Sequence, residues 1–277
     1  MQERKFVVIL HCKSRDGAVV ARWAHNPKVA GSSPAPATKR TVCRRYAVLI
    51  FLFMTPIYED NHIIIVNKEA GEIVQGDKTG DTPLSEIIKA YLKEKYDKPG
   101  NVFCGVVHRI DRPVSGIVIF AKTSKALSRL NDMLRKNEIH KTYWALVEGK
   151  PEKSEGRLED WLVSDGRINK TFISNEGAKD AKRSVLEYKT IKQGDNYTIL
   201  EVVLHTGRKH QIRAQLANMG NPIKGDLKYG ARRSNKDGSI SLQAKKIAFV
   251  HPVSKQEINL EIEPTAEMKK ILGNQEL

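Results

Sequence analysis

Residues 62–67 read His-Ile-Ile-Ile-Val-Asn, a short apolar run between polar ends that predicts a strand. A turn is predicted after it at Lys68-Glu69-Ala70-Gly71. Leu84, Ile87, Ile88 and Leu92 then recur at helical spacing, which predicts a helix over 82–96 with Thr82 as its cap and Pro83 at its first position. Stretches at 106–109 and 116–121, with Val106-Val107 and Ile117-Val118-Ile119-Phe120 as their apolar parts, predict two buried strands joined by a short turn. A second helix is predicted over 124–135, capped by Ser124, with Leu127, Leu130 and Leu134 facing inward. Residues 141–148 alternate so that Tyr143, Ala145 and Val147 share one strand face and Trp144 and Leu146 the other; taken alone, this run reads both aromatics as ordinary core. The stretches 157–163, 168–173, 183–192 and 197–205 alternate in the manner of antiparallel strands. A short helix over 209–219, strands at 243–250 and 257–262, and a helix at 267–272 complete the pattern. Residues 175–182 are small and polar, a predicted loop, and 226–239, rich in Lys, Arg, Gly and Ser, predict a mobile surface loop.

Many short strands with three or four helices, out of strict β-α alternation, predict an α+β domain on one large mixed or mainly antiparallel sheet. The longest apolar run, 47–54, is far short of the ~20 residues that a membrane-spanning helix needs. The three cysteines, Cys12, Cys43 and Cys104, show no CxxC pair and no even framework, so the expected compartment is a reducing one, the cytoplasm. A monomer is the default expectation. The net charge is +15, which points to a polyanionic partner, most simply nucleic acid.

Residues 1–53 differ from the rest. They hold ten Lys and Arg against Glu3 and Asp16, a net +8 of the chain's +15, and show no helix or strand periodicity. Gly31-Ser32-Ser33-Pro34 can be encoded as GGT-TCG-AGT-CCN, which contains the GTTCGANTCC loop of transfer-RNA genes. The expectation is that 1–53 is an unstructured leader, the translation of such a gene segment, and that the working domain is 54–277, starting at Met54. A basic RNA-binding tail, a transit peptide or a signal peptide are the competing readings. Mass spectrometry of the native N-terminus separates them.

Two runs carry candidate chemistry. In Val107-His108-Arg109-Ile110-Asp111-Arg112-Pro113-Val114-Ser115-Gly116 a single carboxylate sits in a turn between two arginines, whose charges favour its ionised form. An ionised Asp111 can act as nucleophile or general base; a surface aspartate in a turn is the bland reading. Pro113 and Gly116 restrict that turn, which favours a fixed geometry, and no second carboxylate accompanies Asp111 as a glycosidase pair would need. In Thr206-Gly207-Arg208-Lys209-His210-Gln211-Ile212-Arg213 a strand meets a helix start dense in cations, suited to a phosphate or to a buried carboxylate partner. His108, His205 and His210 lack metal-ligand spacing and read as structural or phosphate-contacting. No GxxxxGK[ST] and no GxGxxG after a strand supports a nucleotide cofactor.

Together these motifs resemble the RluA-type family of pseudouridine synthases. Residues 108–116 are similar to its HRLDRxTSG signature, Lys141 through Gly149 to KxYxAxxxG, and 206–213 to TGRxHQ[IL]R. Gly225-Asp226 with Tyr229-Gly230 resembles the GDxxYG that follows, and Tyr58-Glu59-Asp60 with Asn67-Lys68-Glu69-Ala70-Gly71 resembles the opening YED and NKPAG. Val114 stands where Thr is usual and Glu69 where Pro is usual. The resemblance spans nearly all of 54–265 and implies the pseudouridine synthase fold and isomerisation of uridine in ribosomal or transfer RNA, with no cofactor and no metal. It implies Asp111 as the catalytic carboxylate, Arg213 as its ion-pair partner, Tyr143 and Ile212 against the target uracil, and Arg109 holding the RNA open. Arg208, Lys209 and His210 are the further RNA-binding candidates. A non-catalytic RNA-binding or ribosome-assembly protein and a base-excising glycosylase are the rival readings.

Overall fold

The computed structural model describes residues 55–273, so the expectation for 1–53 lies outside the described residues. Eleven strands and four helices follow one another as β1 (Tyr58–Glu59), β2 (Ile63–Lys68), α1 (Leu84–Lys95), β3 (Gly105–Val106), β4 (Ser115–Ala121), α2 (Ser124–Arg135), β5 (His140–Glu148), β6 (Glu155–Asp165), β7 (Lys170–Ser174), β8 (Lys182–Gln193), β9 (Tyr197–Leu204), α3 (Gln211–Asn218), β10 (Leu242–Val250), β11 (Glu257–Glu261) and α4 (Ala266–Leu272), with a 3-10 turn at Leu227–Tyr229. All eleven described strands join one sheet in the order β1-β2-β4-β10-β5-β9-β8-β6-β7, with β3 beside β4 and β11 beside β10. The pairings among these strands are antiparallel except where β10 meets β4, which is parallel. The α+β architecture on a mixed, mainly antiparallel sheet is the one expected. Among the described residues no helix is long and apolar enough to cross a membrane.

Burial of both faces explains the unbroken apolar runs. In β2, Ile63 and Ile65 pack toward α2, while Ile64 and Val66 pack toward α1; β4 divides its residues the same way. Each fully buried aliphatic side chain of this kind contributes roughly 1.5–3 kcal/mol. In β5 the face bearing Tyr143, Ala145 and Val147 meets Ile212 and Leu216 of α3, and Trp144 and Leu146 meet Met268 and Leu272 of α4.

Several expected boundaries shift, each for a local reason. Helix α1 starts at Leu84 because Pro83 is still extended (φ −75°, ψ 154°); Pro83 is the cap residue, Thr82 is not, and no side chain caps the end. Helix α2 is capped by Thr123, whose hydroxyl accepts from the Ala126 amide at 3.1 Å, rather than by Ser124. The strand expected over 106–109 shrinks to Gly105–Val106, and Ile168 lies in the turn before β7, exposed. Lys68, expected in a turn, ends β2 and is fully buried.

The parallel joint between β4 and β10 places the functional residues. Gly116 of β4, Ala244 of β10 and Tyr143 of β5 sit side by side across three strands. Gly116 has φ +122°, and a Cβ there would overlap the Ala244 backbone. Only glycine lets β4 come this close, so the turn just ahead of it lies against Tyr143.

Candidate active site

The turn carrying Asp111 is pinned from beneath. The Val114 amide donates to the Asp111 carbonyl at 3.0 Å, closing the turn. The Lys68 ammonium donates to the carbonyls of Val114 (2.7 Å), Glu69 (2.9 Å) and Arg112 (3.2 Å). Burial pushes Lys68 down to about 8, and the nearby carboxylates Glu72 and Asp111 work against that shift. Sequence reasoning gave Lys68 no such role, although a lysine closing an all-apolar strand was a visible signal.

The second wall comes from the corner at 206–213. Thr206 Oγ1 accepts from the Val185 amide on β8 and donates to Gln211 Oε1, each at 2.8 Å. Gln211 Oε1 also accepts from the Arg208 amide at 3.0 Å, and its Nε2 donates to the Val185 carbonyl at 3.1 Å. One glutamine thus locks the corner to the sheet. Helix α3 begins only at Gln211, so Arg208 and Lys209 precede the helix expected to start at Lys209. Both are exposed, and Arg208 lines the mouth of the pocket.

Arg213, 5% exposed, has each of its three guanidinium nitrogens bonded to a carboxylate. Its Nε and Nη2 form a two-pronged bond to Asp226 at 2.7 and 2.9 Å, and Nη1 donates to Asp111 Oδ2 at 2.9 Å. Its guanidinium carbon lies 4.9 Å from the centre of the Tyr229 ring. Burial alone would lower Arg213, but the carboxylates of Asp226 and Asp111 outweigh it and raise it further, so it is permanently charged.

The cation beside Asp111 is therefore Arg213 rather than its chain neighbours. Arg112 turns away to pair with Asp81 at 2.6 Å, and Arg109 is exposed at the pocket mouth. Strand-to-turn geometry points adjacent side chains apart, whereas a helix residue 102 positions later points in. Tyr143 (7% exposed) and Ile212 (5%) line the same pocket as Asp111. Burial, then the Asp111 charge, pushes the Tyr143 phenol up, so it stays protonated.

The histidines were expected to be structural or phosphate-contacting, and two of them, His108 and His210, hold structural positions. His210 is buried, 3.5 Å from Asp111 through Nε2, and burial pushes it down to about 4 against the pull of Asp111. His108 accepts from the Ile119 amide at 3.1 Å and is pushed down to about 3 by burial, with Lys141 adding to the effect. His205 pairs with Glu187 at 3.2 Å on the surface. A histidine in the unfolded chain titrates near 6.5. Between that value and about 4 the unfolded chain binds more protons than the folded one, so stability rises with pH there and is lost as pH falls. The urea midpoint is expected to drop steadily from pH 7 to pH 4, less so in His210→Gln; a flat wild-type profile refutes neutral, buried histidines.

Residues 226–239, expected as a mobile surface loop, begin instead with two buried anchors. Asp226 is 1% exposed and holds Arg213, and Tyr229 donates or accepts at His210 Nδ1 (2.9 Å) and accepts from the Thr171 amide (2.8 Å). Sequence reasoning placed neither in the site.

Comparison with known proteins identifies the family. Residues 62–218 match the family described as RNA pseudouridylate synthase. Among curated proteins, the chain is 32% identical over 219 residues to the uncharacterised RNA pseudouridine synthase YhcT of Bacillus subtilis, covering 78% of this chain and 70% of the relative. It is 31% identical over 221 residues to tRNA pseudouridine synthase C of Vibrio parahaemolyticus (73% and 87% covered), and 30% over 224 residues to ribosomal large subunit pseudouridine synthase D of Zymomonas mobilis (77% and 70% covered). The fold is that of human RNA Pseudouridylate Synthase Domain Containing 4, with a TM-score of 0.66 at 19% identity over 82% of this chain and 94% of that one. A family match over residues 62–218, which includes the Asp111 turn and the 206–213 corner, together with relatives 30% or more identical, makes this chain a member of the RNA pseudouridylate synthase family, in its RluA-type branch.

Proposed function

We propose that the chain isomerises specific uridines of ribosomal or transfer RNA to pseudouridine, with Asp111 as the acting carboxylate on a flipped-out base, and that it works as a cytoplasmic monomer. The observation that carries the reading is the ion chain Asp111–Arg213–Asp226 beneath a pocket walled by Tyr143 and Ile212. The carboxylate is held there by one oxygen while its other oxygen remains available to substrate.

The reaction breaks the bond between the ribose and the ring nitrogen of uracil, turns the ring, and joins the same ribose carbon to ring carbon five. The proton on that carbon leaves to solvent and the ring nitrogen gains one. Substrate and product have the same composition, so the overall change requires no oxidant, reductant or water. The target uridine leaves the RNA stack to reach the pocket, at a cost of about a few kcal/mol. Arg109 props the RNA from the side of the displaced base, and Arg208 and Lys209 meet phosphates at the mouth. Binding therefore weakens as salt rises. Tyr143 and Ile212 hold the loosened ring against loss to solvent. Asp111 attacks the ribose carbon, adds to the ring, or takes the ribose 2′ proton; all three need the carboxylate that Arg213 holds in place.

The deciding experiment uses ribosomal and transfer RNA carrying tritium at carbon five of uridine. Release of the label as water supports the isomerase. Bound RNA with no release supports a non-catalytic binding protein, and free uracil supports a glycosylase. Tyr143→Phe is expected to retain at least about a third of wild-type turnover, because the ring face remains, whereas Tyr143→Ala loses about one to three kcal/mol of contact with the base. Single-turnover rates check this; equal losses in the two variants would remove stacking from the account.

A further inference from the structure

Two donors approach Asp111, and both reach the same oxygen. Arg213 Nη1 lies 2.9 Å from Asp111 Oδ2, and His210 Nε2 lies 3.5 Å from it. Behind the imidazole, Nδ1 is 2.9 Å from the Tyr229 hydroxyl, which accepts from the Thr171 amide at 2.8 Å. A tyrosine hydroxyl has one proton and two lone pairs. The Thr171 amide takes one lone pair. The Thr171 side chain also bonds the hydroxyl, but its Oγ1 already donates to the Lys209 carbonyl at 3.0 Å and pairs with Ser164 Oγ at 2.8 Å, which leaves His210 Nδ1, at 2.9 Å, as the better-placed acceptor for the Tyr229 proton. Were the ring proton on Nδ1, the hydroxyl would accept twice with its own proton unplaced. The bare lone pair of Nε2 would then face the Asp111 carboxylate. Both penalties vanish when Tyr229 donates to Nδ1 and Nε2 carries the proton.

The backbone adds an independent sign of constraint. His210 has φ 51° and ψ 22°, a left-handed conformation, at the head of α3. Six described non-glycine residues have positive φ; the other five are exposed, and His210 is the buried one. Such strain persists only where the surroundings over-determine it, and it clusters at functional sites.

We propose that His210 is a positioning residue: Thr171 and Tyr229 fix its ring with the proton on Nε2, and that N–H, with Arg213, holds Asp111 Oδ2 so that Oδ1 faces the uridine. The inference rests on the isomerase reading only for its kinetic consequence. The imidazole is kept neutral by burial, so it orients Asp111 without protonating it. The 3.5 Å separation is long for a hydrogen bond, and catalytic hydrogen bonds often tighten from such distances only in the substrate complex. With Oδ2 held twice, the free oxygen has one direction to act in.

The test combines a spectrum and a rate. Full-length protein labelled with nitrogen-15 histidine, with His210→Gln for assignment, is expected to show the His210 ring in the Nε2–H form near pH 7. In Tyr229→Phe the ring is expected to become a mixture of tautomers. The kcat of that variant should fall about tenfold or more, as expected when the ring no longer holds Asp111 Oδ2 from a single tautomer, with KM within about a factor of two. His210→Gln, whose amide can still donate to Asp111, should keep at least about tenfold more kcat than His210→Leu. An Nδ1–H ring in the wild type overturns the proposal, as does a Tyr229→Phe variant with unchanged kcat and spectrum, or equal losses in the Gln and Leu variants. The spectrum needs no RNA, so a wild-type chain inactive on every uridine RNA would refute the isomerase reading while the tautomer assignment is still decided.

Discussion

Replacing Asp111 with asparagine is expected to lower turnover about ten-thousand-fold while RNA affinity stays within about a factor of three. The substitution removes one charge and little volume. Arg213 keeps its two bonds to Asp226, and the asparagine oxygen can still accept from Nη1, so the pocket walls have no reason to move. What disappears is the anion itself, which each of the three chemical routes open to Asp111 requires. A loss of that size corresponds to roughly 5.5 kcal/mol of transition-state stabilisation. The proposed phosphate-contacting residues at the pocket mouth, Arg208 and Lys209, are unchanged, so binding measured by filter retention at fixed salt is expected to hold. Turnover within tenfold of wild type would remove Asp111 from the chemistry. A parallel collapse of RNA binding would instead assign it to recognition.

Asp111 was identifiable from its motif, yet the physical reason attached to it there was incomplete. Two flanking arginines suggested local charge compensation, and in the fold Arg112 pairs with Asp81 while the compensating cation arrives from α3. Periodicity finds elements whose burial is one- or two-sided along a strand or helix, which is why β2, β4 and β5 were recognised in place. It cannot say that Gly116, Ala244 and Tyr143 lie in one row, because that depends on a parallel joint between residues 128 positions apart, the separation of Gly116 and Ala244. Composition misled at 226–239. A stretch rich in Lys, Arg, Gly and Ser averages to a surface loop, but a single buried carboxylate or phenol at its start outweighs the average, and Asp226 and Tyr229 are such residues. Helix starts failed by one or two residues because Pro83 and His210 hold non-helical backbone just ahead of the first helical turn. Residue identity alone does not report that conformation.

The second large effect concerns stability as well as rate. Asp226→Asn is expected to cost about 3–5 kcal/mol, the range for breaking a buried ion pair on one side. Asp226 is 1% exposed and accepts from both Nε and Nη2 of Arg213, so water cannot replace it. An asparagine presents one oxygen and one amide to those two donors. Whichever way it flips, a donor faces a donor and the guanidinium charge loses half of its compensation. Domains of this size are commonly stable by only about 5–15 kcal/mol, so the variant is expected to unfold at markedly lower urea. The rate should suffer separately, because Arg213 freed from Asp226 can rotate about its chain and no longer aims Nη1 at Asp111 Oδ2. A double-mutant cycle with Arg213→Met isolates the pair: with no guanidinium left to satisfy, removing the Asp226 charge should cost far less than it does in the wild type. A single-variant loss under about 1 kcal/mol, or additive losses in the cycle, would mean that the Arg213–Asp226 bond is not what fixes the guanidinium. Asp111 would then have to be aimed by the Tyr229 ring and His210 instead.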